Sequence, residues 1–290
     1  MYFILLFFFC LFGTGSSVYG EQDVWLIDTY QAPWNCASEA GFKKAVYYQL
    51  VENRWIRSDA ESFFETQTAE VPLVLYCPAY TLKTSDTVET GMALVRLYEP
   101  GQNCRTVFWN WPAEKIRLRL APDIRDKIAV AVASGDYMAM FLRQLKPESQ
   151  VCMISFSFGN RIICDATVQL GDNRPDGMRI HLILTGSATD QDWLASGSRH
   201  GDVPRLAEKI LIFYNPSDFK LRFYPFMYGN GSRPDALGNI GPPLSRIAAD
   251  YRDRIEGVNV QPYLGRKHRT VDQLRSSVFR QRMSEYLFFQ

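Results

Sequence analysis

Apolar and polar positions alternate along the chain in two rhythms. Residues 23–29 (Asp23, Val24, Trp25, Leu26, Ile27, Asp28, Thr29) are patterned as a strand. Residues 45–51 are patterned as a second strand, expected to run antiparallel at the edge, with Glu52, Asn53 and Arg54 as its turn. Residues 72–76 are apolar throughout, as in a strand covered on both faces. Further strands are predicted over 106–111, where Pro112 stops the run, and over 151–154, 178–185, 209–214 and 257–260.

Between them the spacing changes to that of helices. Val88, Met92 and Val95, with Leu94 and Leu97, give one apolar face. Asp86 is expected to cap that helix, with Glu89 three residues on. Pro122 opens a long helix on which Ile124, Ile128, Ala131, Gly135, Met138, Leu142 and Leu145 keep helical spacing. Ile162, Ile163, Ala166 and Leu170 mark another, and residues 275–289 a terminal one with Val278, Met283 and Leu287 inward. Val203, Leu206 and Ala207 mark a short segment ahead of the 209–214 strand. Residues 219–243 are rich in Gly, Pro and aromatics without periodicity, and read as a long surface excursion. Strands alternating with helices imply an α/β fold, with a mostly parallel central sheet and helices on both faces.

Composition narrows this picture. The chain has 290 residues, 47% of them hydrophobic, which suits a single α/β domain over residues 21–290. The net charge is +1 with no strongly basic or acidic block, so nothing points to nucleic acid or to an anionic surface. The apolar run 2–12, then Gly13, Thr14, Gly15, Ser16 and Ser17 and the short residues around Gly20, reads as a signal peptide over 1–20 and implies export, periplasmic or secreted. Contact with a membrane is expected only if that segment stays uncleaved. Beyond Cys10 there are Cys36, Cys77, Cys104, Cys152 and Cys164. None forms a C-x-x-C pair, so no metal site is expected. Cys152 and Cys164 read as core thiols, and Cys36 with Cys104 as a pair that an oxidising compartment would allow to bridge.

Chemistry concentrates at residues 150–161. An apolar strand runs into Ser155, Phe156, Ser157, Phe158 and Gly159 and then into an apolar helix. This is the strand–turn–helix of a nucleophile elbow, G-x-S-x-G, with Ser155 in place of the first glycine. Acyl transfer by Ser157 needs a base, an acid to orient it, and amide donors for the oxyanion. The histidines are His181, inside an apolar strand; His200, ahead of the next strand; and His268, after the last strand. His268 stands where the fold needs its base. Asp218 follows the 209–214 strand, at the strand end where sites collect in open sheets. Asp190 and Asp192 are the alternative acids.

The segments 23–33, 107–112, the elbow, 184–193, 214–218 and 236–238 together make the chain resemble an exported α/β-hydrolase, serine esterase/lipase-like, of a type common in planctomycete-like bacteria. The resemblance covers nearly all of the chain after residue 20. It implies an α/β-hydrolase fold and hydrolysis of a carboxylic ester or related acyl bond, with Ser157 as nucleophile, Asp218 as orienting acid and His268 as base. The chain departs from the pattern twice. Where such hydrolases carry His-Gly after the strand that here ends at Tyr76, it has Cys77, Pro78, Ala79 and Tyr80. Pro78 has no N–H, leaving Ala79 and Phe158 as the oxyanion donors. Ser155 for glycine predicts local strain in a crowded elbow.

Two alternatives accompany this reading. One is a hydrolase-fold binding or scaffold protein impaired in catalysis, because Cys77 and Pro78 replace the oxyanion residues. The other makes Cys77 the nucleophile. The substrate class is a small-molecule acyl ester. Phe156 and Tyr80 are the expected substrate contacts, with Phe158, Phe223, Tyr224 and Phe226 as further aromatics for an acyl pocket. No cofactor motif occurs, and Gly229, Asn230 and Gly231 read as a turn.

Overall fold

The computed structural model describes residues 23–80, 82–98, 102–114, 120–228 and 234–287. The expected signal peptide over 1–20 and the turn at Gly229, Asn230 and Gly231 lie outside these residues.

Among the described residues, nine strands form one sheet: β1 Asp23–Asp28, β2 Val46–Val51, β3 Arg54–Ser58, β4 Leu73–Cys77, β5 Arg105–Asn110, β6 Gln150–Phe156, β7 Arg179–Thr185, β8 Lys209–Tyr214 and β9 Ile255–Asn259. Their order is β3-β2-β1-β5-β4-β6-β7-β8-β9. From β1 to β9 every neighbouring pair is parallel, and β2 alone runs antiparallel to both β1 and β3. This is the mostly parallel sheet the alternation predicts, with helices on both faces.

The apolar runs are explained by burial on two faces at once. Along β4, Leu73, Leu75 and Cys77 face one core while Val74 and Tyr76 face the other. Along β6, Val151 and Met153 face the first, Cys152 and Ile154 the second. The helices Leu120–Leu142 and Gly159–Leu170 cover the first face through Met138, Leu142, Ile162 and Ile163. The helices Thr84–Val95 and Ser277–Leu287 cover the second through Leu94, Val95, Phe279 and Met283. Each such side chain, fully buried, contributes about 1.5–3 kcal/mol. Cooperation between the two cores therefore fixes the sheet that carries the site.

Several expectations need correction. The edge strand is β3, not β2. Glu52 and Asn53 take positive φ (47° and 62°) in a tight hairpin whose second arm has no apolar alternation to announce it. Asp86 does not begin its helix. The helix starts at Thr84, and Asp86 Oδ2 accepts the Lys83 N–H at 2.9 Å, the reciprocal half of a capping box. The terminal helix is split, Thr270–Arg275 and then Ser277–Leu287, with Ser276 extended between them. The 219–243 excursion is partly core. Leu221, Tyr224, Ala236 and Leu237 are buried, and short helical turns span Leu221–Phe223, Tyr224–Tyr228 and Leu237–Ile240. Cys36 and Cys104 are both free thiols, one exposed and one buried beside Thr106.

Candidate active site

The sharp turn at the end of β6 is made by Ser157, at φ 55°. A non-glycine residue in this left-handed region costs on the order of 1–3 kcal/mol and persists only where its surroundings hold it. Here the Ser157 N–H donates to the Thr185 carbonyl at 3.0 Å, and the Ser157 carbonyl accepts from Ala188 N–H at 3.2 Å. Buried Asn160, in the first turn of the following helix, donates Nδ2 to the carbonyls of Ser157 (2.9 Å) and Thr185 (3.1 Å). Ser155 continues the β6 ladder in register with Cys77 and Leu184, and its buried Oγ has no hydrogen-bond partner.

The three residues drawn from distant parts of the chain meet at this turn. His268 Nε2 lies 3.3 Å from Ser157 Oγ, and His268 Nδ1 lies 2.5 Å from Asp218 Oδ2. The carboxylate beside Nδ1 selects the tautomer with its proton there, which leaves Nε2 to accept from the serine hydroxyl. Asp218 is fully buried after β8, and its Oδ1 accepts from the N–H groups of Lys220 (2.9 Å) and Leu221 (3.0 Å). Two cross-links bind the acid's loop to the base's loop. Asn215 Nδ2 donates to the Gly265 carbonyl at 2.9 Å, and Phe219 N–H donates to the Arg266 carbonyl at 3.2 Å. Gly186, at φ 48°, sits where a side chain is strained, and a Cβ there would stand 3.0 Å from Phe156, the ring beside the imidazole.

The loop after β4 closes the far side. A Cβ on Gly159 would stand 2.4 Å from the Cys77 carbonyl oxygen and 2.7 Å from that of Pro78. The elbow helix can therefore start against this loop only with glycine. Trp111 Nε1 donates to the Pro78 carbonyl at 3.1 Å. The Tyr80 hydroxyl donates to Asp123, which is fully buried, and the Tyr80 ring lies 5.5 Å from that of Phe158. Ala79 and Phe158 both border the cavity at Ser157. Cys77 is fully buried, and desolvation pushes its thiol well above the usual range, so a thiolate there is disfavoured.

The cavity in front of Ser157 has a volume of about 640 Å³. Its walls include Phe156, Phe158, Tyr80, Phe223 and Tyr224, while Phe226 is not among its lining residues. Phe156 lies against the base, its ring tilted 44° to the imidazole at 4.9 Å.

The other candidates have different partners. His181 is buried, with Nδ1 3.0 Å from the Tyr286 carbonyl. His200 is buried with Nε2 2.9 Å from Asp165. Asp190 accepts from the Tyr224 hydroxyl, and Asp192 pairs with Arg246 at 2.5 Å. Sequence reasoning missed the residues that hold the site: Asn160, Asn215, Trp111 and Arg161. Arg161 is a buried cation that donates to the Ala188 carbonyl (2.8 Å) and to the Tyr224 hydroxyl (2.7 Å), with its guanidinium 5.1 Å from the Phe158 ring. An arginine two residues after Gly159, in the first turn of the helix behind the elbow, was the available signal.

No family model matches the chain, and no curated protein is similar to it in sequence. Among solved structures, the lin2722 gene product of Listeria innocua is similar to it with a TM-score of 0.40 and 11% identity, covering 76% of this chain and 95% of that one.

Proposed function

We propose that this chain is a serine hydrolase that cleaves a carboxylic ester or related acyl bond. The observation that carries the reading is the hydrogen-bond chain Ser157–His268–Asp218 at the wall of a largely apolar cavity. In this reading His268 Nε2 takes the proton of Ser157 as Oγ attacks the acyl carbon, and Asp218 stabilises the imidazolium that forms. The N–H groups of Phe158 and Ala79 hold the oxyanion. As the adduct collapses, the bond to the leaving alcohol breaks and His268 gives that oxygen its proton. The neutral His268 then deprotonates the water that hydrolyses the Oγ–acyl ester and returns the proton to Ser157 Oγ. Phe156 and Tyr80 line the acyl or alcohol side of the pocket. An exported chain, periplasmic or secreted, accords with the apolar run at its start.

One observation favours a second reading, a hydrolase-fold binding protein. Pro78 has no N–H to give, and its carbonyl is engaged by Trp111. Loss of one oxyanion donor costs on the order of a hundred- to a thousandfold in rate. A fluorophosphonate probe separates the two. The hydrolase labels rapidly and its Ser157→Ala variant does not. Equal, weak labelling of both proteins would leave only the binding protein.

A further inference from the structure

Sequence charge shows no basic block, yet the fold gathers cations and exposed aromatics at one place, the mouth of the cavity. From residue 220 the backbone runs as a 3-10 turn, Leu221–Phe223, directly into the helix Tyr224–Tyr228. Leu221 and Tyr224 turn inward and are buried. Phe219, in the turn just before this run, and Phe223 and Phe226, three apart along it, are 50%, 48% and 70% exposed. Phe219 and Phe223 meet edge to face at 5.3 Å, and both border the cavity.

Cations flank this stripe from two segments. Lys220 and Arg222 are exposed on the stripe's own turn. Arg266, Lys267 and Arg269 are exposed on the base's loop, which the Phe219–Arg266 backbone hydrogen bond ties to it. The Arg266 guanidinium stands 5.4 Å over the Phe219 ring. No acidic residue occurs in 219–228 or in 257–271. The acidic groups nearby are Asp272, 3.7 Å from Lys267, and Asp86 and Glu89, which line the same cavity.

We propose that this mouth docks on an anionic phospholipid bilayer. The three phenylalanines enter the headgroup boundary, and Lys220, Arg222, Arg266 and Arg269 face lipid phosphates. An apolar stripe bordered by lysine and arginine is the composition of a surface-lying membrane contact. The cations supply attraction that fades within a Debye length of the anionic surface. Docked this way, the cavity opens toward the lipid, so an acyl chain reaches Ser157 without crossing water. The docking extends the hydrolase reading but is measurable without it, because binding is read with no turnover.

The test uses the Ser157→Ala chain, so that no lipid is consumed, sedimented with sucrose-loaded vesicles of phosphatidylcholine alone or mixed with phosphatidylglycerol. The anionic vesicles should retain it at least about tenfold better, with the difference lost at high salt. Phe226→Ser should weaken retention by about tenfold or more, and Arg222→Glu with Arg266→Glu should remove the anionic preference. In the Ser157 background, the Phe226 variant should keep the thermal unfolding temperature and the hydrolysis rate of a short soluble ester, and the double variant should keep the thermal unfolding temperature. Equal retention by both vesicle types, or full retention of the Phe226 variant, overturns the proposal. Binding to heparin resin with none to either vesicle overturns it in favour of a soluble polyanionic partner. Failure of ester hydrolysis with vesicle binding intact removes the hydrolase reading and leaves the docking standing.

Discussion

Gly159 and Cys77 are packed backbone to backbone: a Cβ on Gly159 would stand 2.4 Å from the Cys77 carbonyl oxygen. This contact sets the distance between the elbow and the loop that carries Ala79, the two proposed sources of oxyanion donors. Gly159→Ala must push them apart. Overpacking of this kind costs about 1–3 kcal/mol, and a displacement near 1 Å at a site costs up to about a hundredfold in rate. We expect a lower unfolding temperature together with slow fluorophosphonate labelling. Wild-type labelling in the folded variant would disconnect the contact from the chemistry.

Asp218 holds His268 through one carboxylate oxygen and the backbone of Lys220 and Leu221 through the other. Asp218→Asn can keep the backbone contacts but turns the imidazole to the wrong tautomer. For the proposed hydrolase, kcat should fall on the order of 10⁴-fold with little change in KM. The unfolding temperature should move little. Steady-state kinetics on a chromogenic ester, beside a melting curve, measures both.

Trp111 anchors the loop that lacks a donor at Pro78. Trp111→Phe keeps an aromatic ring but removes Nε1 and the pyrrole ring's volume; the unpaired Pro78 carbonyl costs about 1–3 kcal/mol, and the void adds to that. If Ala79 is an oxyanion donor, kcat should drop by about ten- to a hundredfold while KM holds. An unchanged kcat in a measurably destabilised protein would confine Trp111 to stability.

The buried pair Asp165 and His200, with exposed Arg199 bonded to the same carboxylate, predicts acid sensitivity. Burial raises the Asp165 carboxyl, but the hydrogen bonds and charges of His200 and Arg199 together hold it below the usual aspartate value of about 3.8. Burial holds His200 below the usual histidine value of about 6.5, against the pull of Asp165. In both groups the folded chain binds protons less readily than the unfolded one, so their contribution is present above about pH 6.5 and is lost as pH falls. The unfolding temperature should decline from pH 7 downward, first through His200 and then, below about pH 4, through Asp165. A His200→Asn variant should show a flatter curve between about pH 5 and 6.5.

The order of the elements, the buried character of the parallel strands, and the succession Ser157, Asp218, His268 were all legible in the chain alone. They follow from local rules: a strand covered on two faces must be apolar over its whole length, and an elbow needs a small residue at the close approach. The hairpin arm Arg54–Ser58 was not legible, because an exposed edge strand buries too little to impose a pattern. Nor were Asn160, Asn215 and Trp111. A single buried polar side chain carries no periodicity, and its partner lies 25 to 50 residues away. The mouth of the cavity is the extreme case. Its phenylalanines and arginines come from two segments of a chain whose net charge is only +1. Local sequence determined which strands, helices and reactive side chains this protein has. Only the tertiary structure decided which of them meet, because charge, exposure and hydrogen-bond reach depend on distance in space.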